Sequence, residues 1–293
     1  MPMIRQLWLI AVFALPLSLL LTSCAVTRYV INTINPKEYC PDDYKVNFKE
    51  ALQFVDKADL AYQSRDSVMR ACAEGDSCYV FVGLTTQAQA IVERDDAAKT
   101  QWVAFRGTAT VSDGELDAQY TQIPDPDLGV YLHTGFANAA NDLLPDILKV
   151  IKHDYQTNVS GHSLGGAAAV ISALHLQKLG YQVKVYTFGQ PKVTNLDAAD
   201  TLSLDLTRFI DDKDLVPLMP PVDWKPGQDL GIYMHFGREV DLQLQGYECL
   251  LRHHIEIDLD HWKNEAQKQA FIDHGLALYR AKIILLAADT VKN

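Results

Sequence analysis

The sequence contains no Cys-x-x-Cys pair and no His-Glu-x-x-His motif, which are spacings typical of zinc sites. It also has no internal repeat and no low-complexity segment. Basic residues are scarce, with 26 Lys and Arg against 37 Asp and Glu and a net charge of −11. Because phosphate binding needs a basic surface, this charge argues against a nucleic-acid partner. No metal site and no cofactor are predicted.

The size and composition are those of a globular protein. The chain has 293 residues, of which 48% are hydrophobic and 22% are charged. This is enough apolar material for a large core.

The N-terminus has the pattern of an export signal. Arg5 precedes an apolar run, Leu7–Leu21, which is shorter than the roughly 20 residues that a membrane-spanning helix needs. The run ends in Leu21-Thr22-Ser23-Cys24, which resembles the bacterial lipobox, whose cysteine is lipidated and becomes the new N-terminus. An ordinary signal peptide or a single anchor helix with an incidental cysteine is the alternative.

The resemblance predicts three segments: a lipoprotein signal peptide at 1–23, a tether at 24–43, and one domain at 44–293. Lipidation of Cys24 would hold this acidic protein at a membrane. Ala25 and Val26 follow Cys24 without an Asp, which by analogy with bacterial sorting favours the outer membrane of the cell envelope.

Four further cysteines predict disulfides, because their number is even and the chain is expected to be exported. Cys72 and Cys78 enclose a short loop and would pair easily, which would leave Cys40 and Cys249 for each other. Three connectivities are possible, and free buried thiols are the alternative.

The order of hydrophobic patterns predicts an α/β fold. A helical pattern follows Tyr44, three strand-like runs follow between 79 and 105, and the second half alternates strands with helices. Alternation of this kind is typical of a mostly parallel central sheet with helices on both faces. Predicted helices are Ala137–Lys152, which Pro145 must bend or restart, Leu164–Leu179 and Gln267–Leu286; predicted strands are Gln156–Ser160, Val183–Phe188 and Leu204–Ile210, with an extended region at Ile232–Leu244.

Ser163 is the candidate nucleophile. It stands in Gly161-His162-Ser163-Leu164-Gly165, between a predicted strand and a predicted helix rich in alanine. A sharp strand-to-helix turn exposes such a serine, and the small neighbours give the turn room. The helix N-terminus favours negative charge developing beside the serine. A glycine-rich turn without function is the alternative.

Five segments in this order resemble the fungal-type (class 3) lipase family, which has the α/β-hydrolase fold. The segments are Phe105–Thr108, Leu132–Phe136, Ser160–Gly166, Tyr186–Val193 and Arg208–Pro217. The resemblance, with a candidate histidine, covers about residues 100 to 280 and implies a serine ester hydrolase that acts on lipid esters through an acyl-enzyme.

The acid and the base of the triad follow Ser163 in the chain. Spacing alone does not separate Asp211, Asp212 and Asp214; the resemblance implies Asp214, which leaves the other two as a solvated strand end. Among the histidines, the resemblance implies that His235 is structural, and His253 and His254 look like surface or strand residues. His261 and His274 remain. His274 is favoured, because family members often show Asp-His followed five residues later by a tyrosine, as in Asp273-His274 with Tyr279.

Two N–H donors are expected to form an oxyanion hole. Leu164, which follows the nucleophile, supplies one, and the resemblance implies Thr108 as the other. The family's mobile lid corresponds to Ala109–Val130, which is acidic and contains no Trp or Phe. This departure weakens the expectation of activation at a triglyceride droplet. It leaves phospholipids, lysophospholipids and soluble esters as substrates.

Two other functions are compatible with these residues. One is acyl transfer to an alcohol or lysolipid through the same triad. The other is a non-catalytic lipid-binding lipoprotein, which would be expected to have lost a triad member.

Overall fold

A computed structural model describes residues 38–41, 43–72, 76–107, 121–211, 213–220, 233–243, 246–252 and 273–289. These residues belong to one compact unit. Cys24, Thr108, Asp212, His253, His254 and His261 lie outside the described residues, as do the signal peptide and most of the tether.

The main sheet has nine strands in the order β1-β13-β12-β10-β8-β7-β4-β3-β2. Its five central strands, β4, β7, β8, β10 and β12, run parallel, whereas the strands at both edges pair antiparallel. The strands are β1 (Glu38–Tyr39), β2 (Ser77–Val82), β3 (Gln89–Asp95), β4 (Thr100–Phe105), β7 (Gln156–His162), β8 (Gln182–Phe188), β10 (Leu206–Asp211), β12 (Arg238–Leu242) and β13 (Tyr247–Arg252).

Helices cover both faces of this sheet. On one face, α3 (Thr134–Leu148) and α4 (Leu164–Lys178) pack over residues such as Val103 and Val185. On the other face lie α1 (Phe48–Leu60) and α6 (Leu276–Asp289). Alternate residues of a strand point to opposite faces, so Tyr186 and Phe188 contribute to the second core while Val185 contributes to the first.

Smaller elements complete the domain. A second sheet has the order β11-β9-β6-β5 and consists of β5 (Gln122–Asp125), β6 (Val130–His133), β9 (Thr194–Asn195) and β11 (Tyr233–Met234). Two short helices are α2 (Arg65–Ala71) and α5 (Leu196–Ala199), and a 3-10 turn spans Val216–Leu218.

The predicted α/β class agrees with this architecture, and three details differ. Helix α3 continues through Pro145 instead of restarting there. Residues 121–130, which were included in the predicted lid, form β5 and the turn into β6. The main sheet includes residues before the predicted domain start at Tyr44, because β1 pairs with β13 and Cys40 is bonded to Cys249.

The other disulfide joins Cys72 to Cys78, so all four of these cysteines are paired. Across the described ranges, no helix combines the length and hydrophobicity that crossing a membrane requires.

Candidate active site

Ser163 occupies the turn between β7 and α4 in a strained conformation. Its φ of 60° lies in the left-handed region, which residues other than glycine seldom adopt. The Ser163 N–H donates to the carbonyl of Phe188 at 3.0 Å. The Ser163 carbonyl accepts the N–H of Gly166, in the first turn of α4, at 2.9 Å. A side chain at Gly165 would overlap the main chain of Phe105. The small residues of the motif therefore allow β4 to approach the turn closely.

The turn leaves the Leu164 N–H at the start of a helix. The first N–H groups of a helix have no intrahelical acceptor, so this one is available to an oxyanion at Ser163. The other predicted donor, Thr108, lies outside the described residues.

Asp214 and His274 form a buried pair. His274 Nδ1 lies 2.7 Å from Asp214 Oδ2, and the two side chains are 3% and 0% exposed. Asp214 Oδ1 accepts the Val216 N–H at 2.8 Å, which fixes the rotation of the carboxylate. Because Asp214 accepts through Oδ2, the shared proton belongs on Nδ1 of the ring, and Nε2 is left as the basic nitrogen.

The basic nitrogen of His274 lies buried near the nucleophile. Nε2 has no hydrogen-bond partner among the described residues. Phe188, whose carbonyl accepts the Ser163 N–H, is followed by Gly189, where a Cβ would lie 2.9 Å from His274 Cε1. The His274 ring also stacks on His162, the neighbour of Ser163, with ring centroids 4.5 Å apart. The ring of His274 and its partner Asp214 therefore lie beside the turn that carries Ser163, at the carboxyl ends of β7, β8 and β10.

Tyr279 is a functional residue whose role the sequence did not predict. Its hydroxyl donates to Asp214 Oδ2 at 2.6 Å and accepts the Asp211 N–H at 3.1 Å. Burial, and the neighbouring Asp214 carboxylate, raise the pKa of Tyr279 well above 10, so the hydroxyl stays protonated. The spacing of this tyrosine from His274 is visible in the sequence, but its contact with Asp214 depends on the packing of α6 against β10.

The structure corrects the prediction that Asp211 is exposed to solvent. It was expected at a solvated strand end, yet it is 2% exposed and its carboxylate lies 2.5 Å from Lys282 Nζ. The fold places α6 over this strand end and supplies the cation. His235, by contrast, is structural as predicted: it is buried, and its Nε2 lies 2.7 Å from the carbonyl of Pro217.

Comparison with known proteins matches this chain to a lipase family and to fungal lipases. The model of the family "Lipase (class 3)" matches residues 102–224. A lipase of Rhizomucor miehei is 29% identical over 171 residues, which cover 53% of this chain and 45% of that protein. A secreted mono- and diacylglycerol lipase of Fusarium solani is 30% identical over 196 residues, which cover 60% of this chain and 59% of that protein. The chain thus spans about half the length of these relatives.

Solved structures show the same architecture over a longer stretch. Rhizomucor miehei triacylglyceride lipase has a TM-score of 0.61 at 22% identity, covering 79% of this chain and 94% of that chain. The fold is that of the α/β-hydrolases. A triacylglycerol lipase whose catalytic centre is a serine protease triad has a TM-score of 0.60 at 23% identity, covering 74% and 89% of the two chains. The α/β-hydrolase fold predicted from the sequence is confirmed.

Proposed function

We propose that this α/β-hydrolase is a serine carboxylic-ester hydrolase that acts on lipid esters through an acyl-enzyme on Ser163. The observation that carries the proposal is the buried pair of His274 Nδ1 and Asp214 Oδ2, 2.7 Å apart, beside a serine held at a φ of 60°. A lipid-binding protein without catalysis has no need for a buried carboxylate that orients a histidine toward a strained serine.

In the first step, His274 Nε2 takes the Ser163 hydroxyl proton while the serine oxygen attacks the ester carbonyl. Asp214 holds the ring and stabilises its protonated form through Nδ1. The Leu164 N–H, with Thr108 proposed as a second donor, stabilises the oxyanion. His274 then protonates the leaving alcohol, and a water activated by the same nitrogen hydrolyses the acyl-enzyme.

For the substrate, we propose ester lipids in membranes or micelles, such as phospholipids, lysophospholipids and partial glycerides. Support comes from residues 109–120, which precede β5 and carry three acidic residues and no Trp or Phe. Such a segment gives little apolar surface for docking on a triglyceride droplet. The names of the fungal relatives describe those proteins' substrates and leave the headgroup preference of this chain to experiment.

The test is a panel of esters with purified wild-type protein and Ser163→Ala. The panel contains p-nitrophenyl esters of several chain lengths, mono-, di- and triacylglycerols, phosphatidylcholine and its lysolipid. We expect turnover by the wild type and a loss of about 10⁴-fold or more in Ser163→Ala. A fluorophosphonate should label the wild type only. Equal activity of the two proteins would contradict the mechanism, and added acceptor alcohol separates hydrolysis from acyl transfer by product analysis.

We also propose that residues 1–23 are a lipoprotein signal peptide and that lipidated Cys24 anchors the enzyme in the bacterial outer membrane. The support is the segment Leu21-Thr22-Ser23-Cys24 after an apolar run. Expression with an alkyne fatty acid should label the wild type and leave Cys24→Ser unlabelled. Label retained in Cys24→Ser, or an intact N-terminus by mass spectrometry, would contradict the anchor.

A further inference from the structure

His162 is a buried histidine that none of the steps above uses. It precedes Ser163, is 6% exposed, and makes a hydrogen bond with each of its ring nitrogens. Nε2 lies 2.7 Å from the main-chain carbonyl oxygen of His274, and Nδ1 lies 2.8 Å from the Tyr62 hydroxyl. A carbonyl oxygen only accepts, so the ring hydrogen must be on Nε2. Nδ1 is then an acceptor, and the Tyr62 O–H donates to it.

Tyr62 continues this chain of hydrogen bonds to the end of β4. A Cβ at Gly107 would overlap the Tyr62 hydroxyl, so the two residues are in close contact. Burial raises the pKa of Tyr62, and hydrogen bonding from the Gly107 main chain lowers it by less. The phenol therefore stays protonated and remains a donor. Gly107 is the last residue before Thr108, which we assigned to the oxyanion hole.

The His162 ring also packs against the ring of His274, the proposed base. Its centroid is 4.5 Å from that of His274, and the planes are inclined by 29°. Burial lowers the pKa of His162 well below 6.5, and the neighbouring His274 lowers it further. A neutral ring thus lies against the imidazole that must become positive during turnover, and it adds no opposing charge.

We propose that Tyr62 and His162 are positioning residues, which hold the main chain of His274 and the end of β4 in register with Ser163. The inference rests on the ester hydrolysis proposed above. Asp214 holds the His274 side chain at Nδ1, while His162 holds its main chain, so two bonds to different parts of the residue fix the direction of Nε2. Catalysis is sensitive to such placement, since a shift of about 1 Å can cost about 10²-fold.

Two substitutions at His162 separate its two bonds. The longer amide of His162→Gln can place an N–H near the position of Nε2 and keep the bond to His274. The shorter amide of His162→Asn can place an oxygen near the position of Nδ1 and keep the bond to Tyr62. We expect kcat within about threefold of wild type for Gln and a fall of about 30-fold for Asn, both with little change in KM. Equal kcat values for the two variants would overturn the proposal.

Tyr62→Phe tests the other end of the chain of bonds. We expect about a tenfold fall in kcat, more than for His162→Gln, because Tyr62→Phe removes both the hydrogen bond to His162 Nδ1 and the contact of the hydroxyl with Gly107. In the His162→Asn variant, Tyr62→Phe should lower kcat by less than about a further threefold. The effects of coupled residues are not additive. Losses that multiply in the double variant would show that the two residues act independently, and would overturn the proposal.

The matched control is Tyr186→Phe, which removes a tyrosine hydroxyl bonded to Glu50 in the same core, at 3.0 Å. It should lower stability without a change in kcat. Fluorophosphonate titration of Ser163 gives the fraction of competent enzyme in every variant. A wild type that is inactive on all esters would refute the hydrolase function itself, whereas an active wild type with unaltered Tyr62→Phe kinetics would refute only the positioning role.

A spectroscopic test needs no variant that folds poorly. Imidazole nitrogen and carbon shifts in the wild-type protein should show His162 as a single Nε2–H tautomer at neutral pH. A proton on Nδ1 of His162 would overturn the proposal.

Discussion

The described residues include two buried histidine–aspartate pairs, which differ in the ring nitrogen that contacts the carboxylate and in their distance from Ser163. In one, His274 uses Nδ1 to contact Asp214 at 2.7 Å, and its Nε2 has no hydrogen-bond partner among the described residues. In the other, His175 uses Nε2 to contact Asp125 at 3.0 Å. Helix α4 carries His175 twelve residues beyond Ser163, about 18 Å along its axis. A buried pair becomes a catalytic base only where the fold presents its remaining nitrogen to a nucleophile.

The carboxylates of the two pairs are held in the same way. Asp214 Oδ1 accepts the N–H of Val216, two residues on, and Asp125 Oδ1 accepts the N–H groups of Asp127 and Leu128. His175, Asp125 and Asp127 also bring three potential ligand atoms within 4.8 Å of one another, but the His175–Asp125 hydrogen bond accounts for the buried part of the group, and we assign no ion to it. The second pair joins α4 to the turn after β5.

The largest expected difference between the pairs is in how much kcat falls when the histidine of each pair is substituted. His274→Ala should lower kcat by at least about 10⁴-fold, because no group remains to take the Ser163 proton. His175→Gln should leave kcat unchanged. Initial rates on a p-nitrophenyl ester, normalised to correctly folded protein, make the measurement. His261→Ala belongs in the same series: if it abolishes turnover while His274→Ala does not, our assignment of the base is wrong.

The carboxylates extend the comparison. Asp214→Asn should preserve the fold and lower kcat by about 10⁴-fold, because an amide favours the wrong tautomer of His274. Asp125→Asn should keep full activity and lower the free energy of unfolding by about 1–3 kcal/mol. Urea unfolding and steady-state kinetics of both variants provide the check. A large loss of kcat in Asp125→Asn would contradict the structural role of the second pair.

A third buried histidine, His133, shows how burial changes the pKa of a histidine that has no carboxylate bonded to it among the described residues. It is 4% exposed, Nδ1 has no partner in the described part of the chain, and burial lowers its pKa to about 4 from 6.5. Because the unfolded state binds the proton more readily, His133 favours folding above pH 6.5 and loses this contribution as the pH falls toward 4. The difference in unfolding free energy between wild type and His133→Gln should change by up to about 3 kcal/mol across this range. Parallel pH profiles of the two proteins would contradict the assignment.

The sequence predicted the parts of the site that depend on local pattern. The turn around Ser163 follows from small residues between a strand and a helix, and chain order with the family segments selected Asp214 and His274. Contacts between distant elements were not predictable. The buried pairing of Asp211 with Lys282, and of Asp125 with His175, joins residues 71 and 50 positions apart, which only the packing of helices on the sheet brings together. By contrast, the pairing of Cys40 with Cys249, 209 positions apart, was one of the connectivities that the sequence left open, whereas the pairing of β1 with β13 was not predicted.

The smallest expected effect concerns a tyrosine that, among the described residues, bonds the carboxylate of the first pair and not that of the second. Tyr279→Phe removes the donor at 2.6 Å from Asp214 Oδ2, so the carboxylate is less well fixed and should hold His274 less firmly. We expect kcat to fall by about tenfold, equivalent to about 1.4 kcal/mol, with KM unchanged. The free energy of unfolding should fall no further than in Tyr186→Phe, so that the loss of kcat is not a loss of folded protein. Tyr186→Phe serves as the control, and an unchanged kcat in Tyr279→Phe would mean that the hydroxyl stabilises the fold without positioning the acid.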